Sequence, residues 1–194
     1  MLTEAIENAE IAFKQFEFNV RLLSYAELGK IDVAEFGRDH ITQLHNGTIR
    51  FSPDSFADDD SIARGASINV LMAFAASALT LNDAFEAAGI KDDPAATDND
   101  SRLRALVYMV RCAHAHRIAD PHWQVRGKYR RQLSFDIEGC GTLQLDLPVL
   151  DQQPFDIELI GGYVGWYRIA NRGLRKLREC DEKPGAAAGE SASV

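Results

Sequence analysis

One run decides the class of fold open to this chain: INVLMAFAASALTL, residues 68–81, in which only Asn69, Ser77 and Thr80 are polar. It is too short to cross a bilayer core, which takes about 20 apolar residues. It sits inside a longer periodic stretch. Ile62, Ala66, Val70, Phe74, Ala78, Leu81 and Phe85 recur at three- and four-residue steps, and Gly89 follows as a stop, so a helix of about 61–88 is predicted. Asp60 or Ser61 is placed to cap it. A helix this apolar around most of its circumference has to be covered on several sides, so it belongs at the centre of a helical assembly.

The other segments supply the cover. Residues 3–28 carry Ile6, Ala9, Phe13, Phe16 and Val20 on one helical face, with Gly29 as a stop and Thr3 as a possible cap. Residues 32–39 allow a short helix or turn. The segment 91–100 is a polar loop, and Asp100 or Ser101 opens a helix that points Leu103, Leu106, Val107 and Val110 inward. A last helix is predicted over 156–180, with Leu159, Ile160, Val164, Tyr167, Leu174 and Leu177 inward and Arg168, Arg172, Arg175, Lys176 and Arg178 outward. Two segments change period. In 41–51, Asn46-Gly47 between β-rich flanks signals a type I′ hairpin. A second hairpin is predicted within 128–149, turning at Gly139-Cys140-Gly141. The expectation is a mainly α, four-helix-bundle-like domain over 1–180 with two β-hairpins, followed by a small, polar, disordered tail at 181–194.

Composition narrows the function classes. Glu4, Glu7 and Glu10 with no basic residue in the first thirteen positions do not suit a secretory or transit peptide. Cys112, Cys140 and Cys180 are odd in number and scattered, which argues against a disulfide framework and for a cytoplasmic setting. The net charge of −8 is unevenly spread: residues 1–100 hold 7 Lys/Arg against 18 Asp/Glu, whereas residues 101–194 hold 14 against 11. Within 117–131, Arg117, Arg126, Lys128, Arg130 and Arg131 face Asp120 alone. That basic strip fits an anion site, or a plainly solvated ribbon.

Beside it lies RCAHAHRIADPHWQV, 111–125, with three of the five histidines. Arg111 offers a fixed fork of donors that can hold a phosphate and stabilise charge developing on it. His116, of an amino acid with an ordinary pKa of about 6.5, can exchange a proton with a ribose 2′-hydroxyl or a leaving oxygen. The two lie five residues apart, about 140° around a regular helix, so they converge only if the helix frays or tightens after Ala113. His114 shares the face of Arg111 without distortion. A zinc reading from His114, His116 and His122 competes, but the first two point about 200° apart on a helix. Trp123 reads as an anchor between hairpin and bundle, Cys112 as a small buried residue rather than a reactive thiol, and Gly161-Gly162 as close packing, since a phosphate loop needs more glycine and a preceding strand.

The Arg-x4-His motif at the end of a late helix resembles the HEPN superfamily (higher eukaryotes and prokaryotes nucleotide-binding), and VRCAHAHRIADPHWQVRGKYR is similar to an uncharacterised bacterial subgroup of it. The resemblance covers roughly 61–180. It implies a metal-independent endoribonuclease, toxin- or defence-like, with Arg111 and His116 catalytic, His114, Arg117, Arg126, Lys128, Tyr129 and Arg130 binding RNA, and no metal or cofactor. It also implies a homodimer, and an antitoxin or regulatory protein as partner, with no membrane. The family usually has a polar Asn, Asp or His after the arginine, where this chain has Cys112. That departure supports the alternative of an inactive HEPN-like binding or dimerisation module. A nucleotide sensor is a third, weaker idea.

Overall fold

The computed structural model describes residues 1–36, 38, 40–51, 56–115 and 118–182. In chain order it contains α1 (Leu2–Glu27), α2 (Val33–Phe36), β1 (His40–Leu44), β2 (Gly47–Phe51), α3 (Asp59–Ala87), α4 (Asn99–His114), β3 (Gln132–Ile137), β4 (Gly141–Asp146), α5 (Leu147–Leu150) and α6 (Gly162–Asp181), with 3-10 turns at Gly127–Tyr129 and Ile157–Ile160. The protein is mainly helical, with two separate antiparallel hairpins, β1–β2 and β3–β4. Most of the tail lies outside the described residues, and Asp181 still belongs to α6.

Contacts cluster into two compact units, Met1–Phe13 with Ala75–Val194, and Lys14–Phe74. In the second unit, Ala26 of α1 meets Ile62 and Ala66 of α3, and Leu22, Leu23, Ile31, Val33 and Ala63 partly cover them. Phe16 and Phe74 meet edge-on at 6.3 Å. The cap of α3 is Asp58, two or three residues earlier than expected: its carboxylate accepts from the Ser61 backbone at 2.7 Å, and the Ser61 hydroxyl accepts in return from the Asp58 amide. This reciprocal box satisfies donors that a helix start leaves open. The β1–β2 turn is also displaced. Leu44 pairs with Gly47, so His45 and Asn46 form the turn rather than Asn46-Gly47, and neither has positive φ. The Thr48 hydroxyl donates to Gln43 Oε1 at 2.9 Å within that register.

The larger unit gathers the big side chains. Trp123, Trp166, Phe135, Leu106 and Met109 are wholly buried. The strand β3 alternates as expected, with Leu133, Phe135 and Ile137 inward, and it packs against α4 and α6. Asp98 caps α4 by accepting from Ser101 N at 2.8 Å, so the helix begins at Asn99, ahead of the predicted Asp100 or Ser101. Thr3 does not cap α1; its hydroxyl donates to Asp181 at 3.3 Å, and nearby Arg178 pairs with Glu10 at 2.6 Å.

The last helix departs most from expectation. It starts at Gly162 rather than 156, because Asp156 caps a 3-10 turn and Gly161 and Gly162 take φ of 85° and 66°. Those left-handed values suit glycine and break the helical path. Just beyond, a Cβ on Gly165 would lie 2.2 Å from the Ile160 carbonyl oxygen, so the turn and α6 close on each other only because position 165 has no side chain. The altered start also shifts the buried face: Trp166, Ile169, Ala170, Gly173, Leu174 and Leu177 are inward, whereas Val164 and Tyr167, expected inside, are 58% and 44% exposed. The Trp166 indole donates to the Ser77 hydroxyl at 2.8 Å, tying α6 to the apolar run of α3.

Candidate functional site

The last two turns of α4 bring Tyr108, Arg111, Cys112 and Ala115 to one side of the helix, at the three- and four-residue steps that make neighbours on a helix surface. The wall opposite comes from the chain after Pro121. There Trp123 exchanges backbone hydrogen bonds with the 152–153 segment, Trp123 N to Gln153 O and Gln152 N to Trp123 O, both 2.9 Å. Val125 N donates to Asp151 at 3.0 Å. Trp123 and Val125 are buried, and the alternation of an extended chain turns Gln124 and Arg126 the other way. With Tyr129 they close an open cleft of about 270 Å³ whose other wall is α4.

Among the described residues, two arginines and no carboxylate line this cleft. Arg111 is half-buried, and among the described residues its Nε is shut from solvent without an acceptor. A buried donor left unpaired costs about 1–3 kcal/mol. Tyr108 and Tyr129 stack, centroids 4.9 Å apart and planes at 15°. A hydrogen bond with the Cys112 thiol raises the Tyr108 pKa. Burial, then the Asp92 carboxylate that accepts from its hydroxyl, push the Tyr129 pKa far up, so it stays a neutral donor. At Asp92, burial opposes ionisation, but hydrogen bonds from Lys128 and Tyr129 outweigh it and the pKa is lowered.

The residues expected to act together are therefore only partly gathered. Arg111, Arg126 and Tyr129 share the cleft. His116 and Arg117 lie outside the described residues. Lys128 pairs with Asp92 at 2.6 Å and Arg130 with Asp151 at 3.3 Å, so these two cations are turned to acidic neighbours and do not line the cleft. His114 is corrected from a binding residue to a core residue: it is fully buried, its Nδ1 donates to Val110 O at 3.0 Å, and its ring stands edge-on to Phe155. Burial lowers its pKa despite that hydrogen bond, which leaves it neutral and poor as a phosphate ligand. The zinc reading loses His114 for the same reason, and among the described residues no three His, Cys, Asp or Glu side chains group to hold an ion.

Trp123 is the anchor the sequence indicates, packed at 4.9 Å on Phe155. The Arg-x4-His motif does not include Tyr108 or Gln124. Tyr108, three residues before Arg111 on the same helix, was detectable from spacing; Gln124 was not, because its placement depends on the pairing of 123 with 152 and 153. No family model, curated protein or solved structure matches the chain.

Proposed function

We propose that the cleft holds an RNA phosphodiester and that the protein is a metal-independent endoribonuclease of HEPN type. The observation that carries this reading is the half-buried Arg111, which among the described residues has its Nε unsatisfied and lines a cleft that contains Arg126 and no carboxylate. A phosphate between two guanidinium groups gains charge-assisted, bidentate hydrogen bonds, and negative charge developing on its oxygens in the transition state gains more. The ribose 2′-oxygen attacks phosphorus, the bond to the 5′-oxygen breaks, and a 2′,3′-cyclic phosphate remains. The sequence supplies the proton carrier in His116, which directly follows the cleft residue Ala115.

One observation favours the second reading, an inactive binding module. Cys112 lines the cleft beside Arg111 and bonds to Tyr108, where the family's usual polar residue would assist the histidine, and a thiol is a weak partner. The experiment is incubation of wild type, Arg111→Ala and His116→Ala with end-labelled RNA in EDTA. Cleavage to cyclic phosphate by wild type alone supports the nuclease. RNA binding that depends on Arg111 without cleavage leaves the binding module. Binding and cleavage absent from folded wild type on several RNAs would reject both. A toxin would also slow the growth of a host that expresses it, and an antitoxin partner would restore growth.

A further inference from the structure

The side chains that line the Arg111 cleft are one-sided in their hydrogen-bonding chemistry. Arg111 and Arg126 carry donors alone. The hydroxyls of Tyr108 and Tyr129 are engaged, the first with the Cys112 thiol and the second with Asp92. Gln124 has both kinds of group, but its Oε1 accepts from Gln152 Nε2 at 3.3 Å. Among the described residues its amide nitrogen has no acceptor, and it remains as a further donor. The backbone holds Gln124 in place. It stands between the buried Trp123 and Val125, and Trp123 exchanges backbone hydrogen bonds with the 152–153 segment. Donors therefore stand on both walls, Arg111 on α4 with Gln124 and Arg126 opposite. Beside them lies an aromatic surface. Tyr108 and Tyr129 stack with planes at 15°. Tyr129 is only 6% exposed, so the half-buried Tyr108 is the ring of the pair that offers area to a ligand.

We infer that the cleft selects the base of one unpaired nucleotide: the Tyr108 ring stacks on the base, and the Gln124 amide nitrogen donates to a keto oxygen, so that guanine and uracil are preferred to adenine and cytosine. The inference rests on the phosphate reading of Arg111 and Arg126, and names what lies beside that phosphate. Tyr108 and Arg111 are three residues apart on α4, neighbours on the helix surface with about 5–6 Å between Cβ atoms. A base on Tyr108 thus keeps its own phosphate within reach of Arg111. At about 270 Å³ the cleft has room for one nucleotide and none for a duplex, and RNA sequence is read chiefly where bases are unpaired. Every base has a face to stack, which gives affinity without choice. The choice comes from the edge. Guanine carries O6 where adenine has the N6 amino group, and uracil carries O4 where cytosine has the N4 amino group. An amino group set against the Gln124 nitrogen puts donor against donor and leaves both unpaired. Gln124 is a specificity residue and Tyr108 a platform; neither exchanges a proton in the reaction.

The test uses the full chain and a short strand of abasic deoxyribose phosphates that carries a single base: guanine, uracil, adenine or cytosine. Such a strand has no 2′-hydroxyl to attack and is not cut, so fluorescence anisotropy in EDTA and chloride reads binding alone. Wild type should bind the guanine and uracil strands about 5–10-fold more tightly than the other two, the difference that one hydrogen bond makes. Tyr108→Ala should bind all four about 5-fold or more weakly, near the level of a wholly abasic strand, and Tyr108→Phe should match wild type. Gln124→Glu, which sets acceptors where the donor stood, should reverse the order of the bases. Gln124→Ala should level it. Helical circular dichroism should be retained in each variant. Binding that depends on Arg111 but is equal for the four bases and the abasic strand would overturn the inference and leave the phosphate reading standing. So would an order of bases that survives Gln124→Glu, or a guanine strand bound as well by Tyr108→Ala as by wild type. Binding of no strand by folded wild type would overturn both.

Discussion

Arg111 and His114 stand three residues apart on one helix and have opposite fates. The first reaches a cleft, and the second is sealed in the core. If the cleft holds phosphate, Arg111→Ala should lower cleavage by about 10²–10³-fold, the usual effect of losing one transition-state donor. Arg111→Lys should not restore it, because a single ammonium cannot supply the fork; initial rates on a short RNA measure both. Arg126→Ala should chiefly weaken binding and flatten its salt dependence, read from titrations at several ionic strengths. For His114 the folded pKa lies below the unfolded one because burial disfavours the charged ring. The unfolded chain therefore takes up the proton first as pH falls below about 6.5, and stability declines from there by at most about 1.4 kcal/mol per pH unit. Midpoints of urea unfolding between about pH 7.5 and 5.5 should show this decline for wild type and a shallower one for His114→Gln.

At the scale of elements, sequence reading succeeded where one face repeats without interruption and failed where two elements share a short junction. The seven residues expected on the inner face of α3, from Ile62 to Phe85, are all buried, because a run that apolar has nowhere else to go. The start of α6 was missed by six residues: the periodic pattern runs on through Leu159 and Ile160, yet two left-handed glycines and a carbonyl pressed against Gly165 intervene. Such a junction depends on tertiary closure, which periodicity does not record. Gly165→Ala tests the closure. The gain in helix propensity, about 1 kcal/mol, should be outweighed by the clash with backbone, for a net loss of about 1–3 kcal/mol in urea denaturation. The cleft was half legible for a similar reason. Arg111 and Tyr108 follow from helix spacing, whereas Arg126 reaches them only because Trp123 pairs with the 152–153 segment.

At the scale of the whole molecule, the basic strip is less free than its sequence suggests. Of the four cations of 126–131, Lys128 and Arg130 pair with Asp92 and Asp151, Arg131 donates to the Lys128 carbonyl oxygen, and Arg126 lines the cleft. Sequence counting reads the strip as uniformly basic because it cannot see Asp92 and Asp151 arrive. The helix α3 meets the length and composition of a membrane span, although 44% of its most apolar window is buried within the chain itself.

The unsatisfied nitrogen of Arg111 also bears on how the molecule behaves in a tube. A cleft built around two guanidinium groups does not distinguish a diester from the simple anions of a buffer. If the cleft holds an RNA phosphate as proposed, inorganic phosphate or sulfate at millimolar levels should compete for it, raising the apparent stability while lowering the apparent affinity for RNA. Dialysis into chloride would thus change both quantities in opposite directions, a signature of competition for one seat.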